Sequence, residues 1–194
     1  MAAEKLEQGE LVAIPTETVY GLAANGLNAN AVLKIYEVKN RPQFNPLILH
    51  FPSVEQIEQL GLRFPPKARE LAQVFSPGPL TYVIPANDKI PGIVTAGTGA
   101  VAVRIPSHPL TRQLLERLPF PLAAPSANIS GSVSPTSAQH VQAQLGGKIA
   151  YILDGGPSEV GLESTIVSFL DEPPQLLRYG GITAEQIESI IGPL

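Results

Sequence analysis

The sequence predicts a single α/β domain on a twisted sheet of mixed parallel and antiparallel strands, with flanking helices. Segments typical of strands and of helices interleave along the chain, and some strands follow one another directly, which argues against a strictly doubly wound sheet. No internal repeat, low-complexity linker or shift in composition marks a second domain. Residues 1–194, 44% hydrophobic and 15% charged, are therefore expected to form one domain with a sizeable core.

Nine apolar runs rich in β-branched residues predict the strands, because polar or turn-forming residues bound each of them. In chain order these runs are Leu11–Ile14, Val19–Ala24, Pro46–Phe51, Leu80–Pro85, Ala100–Ile105, Pro121–Ala124, Ile149–Leu153, Thr165–Leu170 and Gln175–Tyr179. Their lengths of a few residues are typical of strands in a globular sheet.

Helices are predicted where apolar residues recur at helical spacing between recognisable start and stop signals. Val32, Ile35 and Tyr36 share one face of a helix over 30–39, which Pro42 bars from continuing. Further helices are predicted from Ser53, from Pro65-Pro66 to about Phe75, over 108–118, over 136–145 and from Thr183 to Gly192-Pro193.

The composition excludes several classes of protein. The chain has no cysteine, which excludes disulfides, thiol catalysis and thiolate zinc sites. A net charge of −4 does not indicate a strongly basic nucleic-acid-binding face. The sequence contains no run of about 18 apolar residues, so no membrane span is predicted. The polar, acidic N-terminus resembles neither a signal nor a transit peptide. A cytoplasmic protein is the expected class.

Common catalytic motifs are absent from the sequence. It contains no phosphate-binding P-loop, no dinucleotide-binding glycine pattern after a strand and no Gly-x-Ser-x-Gly nucleophile turn. The three histidines lack metal-ligand spacing, no acid pair is evident, and no protein metal site is predicted. The sequence therefore predicts no strong nucleophile or acid–base pair.

Polar residues instead cluster around the strand ends. Lys39 at a helix end suits the helix dipole, whereas Arg41, held before a proline, is better placed to grip a phosphate with its planar guanidinium. His50 by itself is typical of a structural histidine, but its proximity to Arg41 and Asn45 favours a ligand contact. Arg104 lies in an apolar strand and needs an anion, either an internal acid or a ligand carboxylate or phosphate.

A hydroxyl- and amide-rich loop precedes the predicted helix over 136–145. Ser126, Asn128 and Ser134 lie in it, and backbone N–H groups at a helix N-terminus favour anions, although turn and cap chemistry alone would also account for these residues. Ser164 stands before another strand, where a ligand contact and a strand-start hydroxyl are equally consistent with the sequence.

Eight of these segments occur in a fixed order from Pro15 to Gly181. They are Pro-Thr-Glu-Thr-Val-Tyr-Gly-Leu, Lys-x-Arg-Pro, Asn-Pro-Leu-Ile-x-His, Ser-Pro-Gly-Pro-x-Thr, Arg-x-Pro, Pro-Ser-Ala-Asn-x-Ser-Gly, Glu-Ser-Thr and Arg-x-Gly-Gly. Each segment alone is weak evidence for a protein family, but the ordered set of eight is specific. By this set the chain resembles the YrdC-like family of threonylcarbamoyl-AMP synthases, which implies a large concave cleft.

The resemblance also implies a reaction. In that family L-threonine, bicarbonate or CO2 and ATP, bound with Mg²⁺, give threonylcarbamoyl-adenylate and pyrophosphate. The product feeds the threonylcarbamoyladenosine modification of tRNA, so downstream tRNA threonylcarbamoyl-transfer enzymes are the expected partners. The carbamate nucleophile is already anionic, so positioning and charge neutralisation are the chemistry required of the protein.

Family roles carry over to matching positions of this chain. The resemblance assigns catalytic roles to Lys39 and Arg41. It assigns threonine binding to Thr18, His50, Arg104, Ser126 and Ser164, with Arg104 as the expected carboxylate partner. It assigns ATP binding to Lys39, Arg41, Asn45, Asn128, Ser134 and Arg178, with Thr136 as a weaker candidate.

Two departures and two alternatives qualify the resemblance. Tyr179 stands where the family usually has proline, and Ser168 replaces a frequent acid. Some family members carry a further C-terminal domain, so the chain is either a single-domain form or the catalytic part of a longer protein. A paralogue could bind double-stranded RNA, against which a pI near 5.4 and 6% aromatic residues argue, or could use another acyl or carbamoyl acceptor.

Overall fold

The computed structural model of the protein describes all 194 residues and contains one nine-stranded sheet with eight helices. The strands are β1 Val12–Ile14, β2 Gly21–Asn25, β3 Ile48–His50, β4 Leu80–Pro85, β5 Ala100–Arg104, β6 Leu122–Ala123, β7 Tyr151–Ile152, β8 Thr165–Ser168 and β9 Gln175–Arg178. The helices are α1 Ala2–Glu7, α2 Ala29–Lys39, α3 Val54–Gln59, α4 Pro66–Phe75, α5 Gly92–Thr95, α6 Pro109–Arg117, α7 Ala138–Leu145 and α8 Ala184–Ile191.

The sheet mixes parallel and antiparallel pairs, as predicted. Its strand order is β7-β1-β2-β6-β3-β5-β4-β8-β9. The pairs β1–β7, β3–β5 and β4–β8 are parallel, and the others are antiparallel. All nine predicted strands are present, most of them shorter than their apolar runs.

Every predicted helix is also present, but two helices were not predicted. Helix α1 has no side-chain cap and buries only Leu6, and helix α5 is four residues long, so neither produces a periodic apolar pattern. Helix α7 begins after the cap residue Ser137 rather than at Thr136. None of the eight helices is long and apolar enough to cross a membrane.

The two faces of the sheet have different environments because side chains alternate along each strand. One face packs on the main core of 35 buried apolar residues, to which Ala13, Leu49 and Val103 belong. On the other face, Val12 and Ile14 join a second core of nine residues with helices α1 and α6.

The second face is covered only at its β1–β2–β6 end. Farther along the same face, Ile48, Val83, Ala102 and Ile166 line a cavity instead of a core. Their strand neighbours, such as Leu49 and Val103, belong to the main core. The sheet thus forms the floor of an open site, and the loops at the strand ends form its walls.

We expect Ile35→Ala in helix α2 to lower the free energy of unfolding by about 2–5 kcal/mol, because the fully buried side chain would leave a cavity in the main core. Urea unfolding measures this loss. The control is Val74→Ala in helix α4, where the side chain is exposed and a change within about 0.5 kcal/mol is expected. Equal losses in the two variants would contradict this description of the core.

Candidate active site

A cavity of about 300 Å³ lies on the open face of the sheet. Its lining includes hydroxyl, imidazole and guanidinium groups from six separate segments of the chain. Seven of the predicted site residues line it, namely Thr18, Arg41, His50, Arg104, Ser126, Ser164 and Arg178. The predicted residues outside the lining are Lys39, Asn45, Asn128, Ser134 and Thr136.

Strand register brings several of these groups into one row. His50 pairs with Arg104, Arg104 with Thr81, Thr81 with Ile166, and Ile166 with Arg178. Directly paired residues point to the same face of a sheet, and neighbouring strands lie about 4.8 Å apart. The imidazole and the two guanidinium groups are therefore spaced across the same face, although they are far apart in sequence.

Arg104 has an internal acid as a partner. Its Nη2 contacts Glu17 Oε1 at 2.6 Å and donates to Thr18 Oγ1 at 2.9 Å, and its Nε donates to the Gly78 carbonyl at 3.3 Å. Both side chains of the ion pair are almost fully buried. Its Nη1 makes no hydrogen bond within the chain, and the Arg104 side chain lines the cavity.

Glu17 is a buried acid that the sequence analysis did not single out. Burial opposes its ionisation, but the Arg104 guanidinium and the Ser107 backbone N–H outweigh this, so the pKa of Glu17 lies below its ordinary value. The Glu17 carbonyl also accepts a hydrogen bond from the Val160 N–H. Its place in the Pro-Thr-Glu-Thr segment, between two site threonines, was the available signal.

His50 is buried and neutral. Burial, together with the nearby Arg104 charge, lowers the pKa of His50 to about 3, although the Glu17 charge acts in the opposite direction. Its Nδ1 is buried and has no hydrogen-bond partner within the chain. The His50 side chain lines the cavity, as the predicted ligand contact requires, whereas its unpaired Nδ1 is enclosed by protein atoms.

Lys39 lies beneath the cavity wall and not in the lining. Its Nζ donates to the Ser126 and Asn128 carbonyls and to Asn128 Oδ1. Burial, followed by the nearby Arg41 charge, lowers the pKa of Lys39 to about 8. The ammonium thus holds the 126–128 segment in place and directs its charge to backbone carbonyls.

Arg41 extends into the cavity from the loop after helix α2. Asn40 ends this helix in the left-handed conformation, and Arg41 then donates from Nε to the Asn45 carbonyl and from Nη2 to the Pro46 carbonyl. These bonds leave Nη1 without a partner in the chain. The Asn45 carbonyl, and not its amide side chain, fixes the guanidinium.

Arg178 is held by a group of polar residues at the other end of the row. Its Nε donates to the Ser164 carbonyl at 2.9 Å, its Nη2 to Ser164 Oγ at 3.0 Å, and its Nη1 forms an ion pair with Glu163. Glu163 also accepts a hydrogen bond from Ser134 Oγ. Glu163 belongs to the Glu-Ser-Thr segment, but its sequence context predicted no role for it.

The remaining predicted residues shape the loops. Asn128 Nδ2 donates to the Ile129 and Ser132 carbonyls. Thr136 Oγ1 lies 3.3 Å from His140 Nδ1, outside the cavity.

The two departures from the family pattern leave the neighbouring strands paired. Tyr179 is exposed beyond β9, whose Arg178 still pairs with Ile166. Ser168 is the last residue of β8, and its Oγ accepts the Leu170 N–H. No group of three or more His, Cys, Asp or Glu side chains is placed to hold a metal ion.

The fold and the cavity together define an α/β protein in which three guanidinium groups line one cavity. The chain belongs to the Sua5/YciO/YrdC family, because the family model, described as telomere recombination, matches residues 4–180. The family resemblance drawn from the eight sequence segments is thereby confirmed.

Individual relatives support the same conclusion. Threonylcarbamoyl-AMP synthase of Bacillus subtilis is 53% identical to all of this chain, which spans 56% of that protein. The Pyrococcus abyssi protein of the same name is 50% identical, and the chain spans 57% of it. The crystal structure of P. abyssi Sua5 complexed with L-threonine matches the whole chain with a TM-score of 0.97 and 51% identity, over 57% of its own length. The chain thus spans about half the length of the curated relatives it matches. The match to this crystal structure confirms the predicted fold class.

We expect the free energy of unfolding to decrease as the pH is lowered below 6.5, because of His50. The unfolded histidine titrates near 6.5 and the folded one near 3, so in this window the unfolded state binds the additional proton. Between pH 7 and pH 5 the loss from His50 is about 2 kcal/mol. The pKa of Glu17 is lowered in the folded protein, so the stabilisation that Glu17 contributes is lost mainly below this window.

Urea unfolding at pH 7 and pH 5 measures this loss. His50→Gln should remove most of the pH dependence. His140→Gln, at an exposed position, should retain it. The same loss in wild type and in His50→Gln would show that another group is responsible.

Proposed function

We propose that this chain carries the activity of an L-threonylcarbamoyladenylate synthase, a nucleotidyltransferase that forms threonylcarbamoyl-AMP and pyrophosphate from L-threonine, bicarbonate or CO2 and ATP. The observation that carries the proposal is the meeting of three guanidinium groups with hydroxyl and imidazole side chains in one cavity. The names of the B. subtilis and P. abyssi relatives support it.

Threonine is assigned to the part of the cavity around Arg104. The free Nη1 can pair with the substrate carboxylate, since Glu17 and Thr18 already fix the other edge of the guanidinium. Thr18, Ser126 and His50 line the same region and offer uncharged hydrogen-bonding groups. A neutral His50 avoids repelling the substrate ammonium group.

ATP is assigned to the side of the cavity bounded by Arg41 and Arg178. Both guanidinium groups are anchored by backbone carbonyls, so they are preorganised for phosphate oxygens. Ser134 lies within hydrogen-bonding distance of Glu163, which pairs with Arg178. Lys39 and Asn128 act here by fixing the 126–128 segment.

The chemistry needs no strong base from the protein. The threonine ammonium group loses one proton to solvent, the free amine adds to the carbon of CO2, and the adduct releases a second proton to solvent to give the carbamate. A carbamate oxygen then attacks the α-phosphorus, and the bond from that phosphorus to the bridging oxygen breaks, releasing pyrophosphate. The residues supply alignment of the two substrates and cationic groups facing the phosphate oxygens, which are the main contributions in phosphoryl-group chemistry.

Mg²⁺ is proposed to enter with the triphosphate. Glu163 is the one carboxylate in the lining, and a single carboxylate together with phosphate oxygens is a common environment for this ion. When bound, Mg²⁺ would neutralise part of the phosphate charge.

The adenylate product is a reactive mixed anhydride, so tRNA threonylcarbamoyl-transfer enzymes are the proposed recipients.

Pyrophosphate release from ATP and Mg²⁺ tests the proposal. It is measured with and without L-threonine and bicarbonate, and the nucleotide product is identified by mass. Release that depends on both, with the mass of threonylcarbamoyl-AMP, is the expected result. A folded protein that binds ATP but does not respond to threonine would indicate another acceptor, and salt-sensitive RNA binding without turnover would indicate an RNA-binding module.

We expect Arg41→Ala to lower kcat/KM for adenylate formation about 10²–10³-fold, because one fixed donor to the developing phosphate charge is lost. Arg41→Lys should also be poor, since a point charge cannot replace the planar guanidinium. Arg63→Ala, at an exposed position without an ion pair, is the matched control and should retain activity. Near-normal turnover in Arg41→Ala would contradict the assignment of Arg41 to the ATP-binding side of the cavity.

A further inference from the structure

Glu163 is the only acidic residue among those that line the cavity. Both of its carboxylate oxygens are engaged, one by Arg178 Nη1 and the other by Ser134 Oγ at 3.1 Å. These two groups are assigned above to ATP. Within the chain these two groups already hold an anion, the Glu163 carboxylate.

The negative charge of Glu163 acts on the whole phosphate side of the cavity. Burial is the main effect on the pKa of Lys39 and of Arg41 and lowers both, whereas the Glu163 charge acts in the opposite direction on each. Glu163 therefore stabilises the neighbouring cations and opposes a second anion at the same place.

We infer that Glu163 is an internal counter-anion, which a polyphosphate ligand must displace from Arg178 and Ser134 before it can bind. The inference rests on the proposed function for the assignment of ATP to this side of the cavity. Entry is then an exchange of one anion for another. A ligand with several charged oxygens can replace the carboxylate, whereas a weakly charged ligand cannot, so Glu163 contributes to the selection of polyphosphates.

The exposure of the two ion pairs in the site supports this exchange. The Glu163 and Arg178 side chains are 39% and 34% exposed, against 7% and 5% for Glu17 and Arg104. A half-exposed carboxylate can turn into water and be solvated there, whereas a buried one would be left without a partner. The Glu17 pair is therefore permanent, and the Glu163 pair can open.

Arg178 would keep its position after the exchange. Its Nε and Nη2 remain bonded to the Ser164 carbonyl and Oγ, and Ser164 Oγ lies 2.7 Å from Thr81 Oγ1. Only Nη1 loses its partner when Glu163 leaves. The incoming phosphate thus meets a guanidinium that is already oriented.

Glu163→Gln tests the inference by isothermal titration calorimetry with inorganic pyrophosphate and with ATP, both without Mg²⁺. The variant should bind each probe roughly two- to fivefold more tightly than wild type, because the competing charge is gone. The gain should decrease at high salt, since the pair is partly exposed.

Glu159→Gln is the matched control. Glu159 is exposed in the same loop and forms no ion pair, so this substitution makes the same change in net charge and should leave both affinities unchanged. A double-mutant cycle with Arg178→Ala adds a second criterion. In the Arg178→Ala background, Glu163→Gln should increase the affinity for both probes much less, because there is no guanidinium to release.

The outcomes separate the inference from the proposed function. Unchanged or weaker pyrophosphate binding in folded Glu163→Gln would overturn the inference, and so would an equal gain in Glu159→Gln, even if wild type makes threonylcarbamoyl-AMP. Tighter binding only in Glu163→Gln would support the inference even if no threonine-dependent turnover were found. Folding of each variant is checked by its urea midpoint.

Discussion

Arg104 and Glu17 form a buried ion pair at the end of strand β5, and much of the site is organised around it. The pair joins a central strand to the loop before β2, and through the Glu17 carbonyl it also fixes the Val160 loop. Removing one partner of such a pair leaves an unpaired buried charge and typically costs about 3–5 kcal/mol. This contact therefore ties three segments of the chain together beside the cavity.

The sheet supplies the second constraint, because its strands present one face to the main core and leave part of the other uncovered. Helices α1 and α6 cover the β1–β2–β6 end of that face, and at the other end Ile48, Ala102 and Val83 form a cavity floor. Polar groups at the strand ends then lie beside an apolar floor. Such a site excludes some water and strengthens the contacts of its charged groups with a ligand.

The sequence predicted all nine strands and six of the eight helices, since strand and helix patterns depend on neighbouring residues, and seven of the residues that it proposed for the site line the cavity. It left open whether Arg104 would have an internal acid or a ligand as its partner, and the structure contains the acid. Glu17 and Glu163 received no role because an acid in a short motif carries no mark of what faces it. Their partners are 87 and 15 residues away in the chain.

By itself, the sequence determined the α/β class, the order of the nine strands and of six of the eight helices, the family motifs and the absence of thiol chemistry. Only the tertiary structure decided which charges pair, because strand register places His50, Arg104 and Arg178 in one row. It also decided that Lys39 supports a loop while Arg41 lines the cavity, two residues apart. Local patterns follow from short-range geometry, whereas burial and pairing depend on contacts between distant segments.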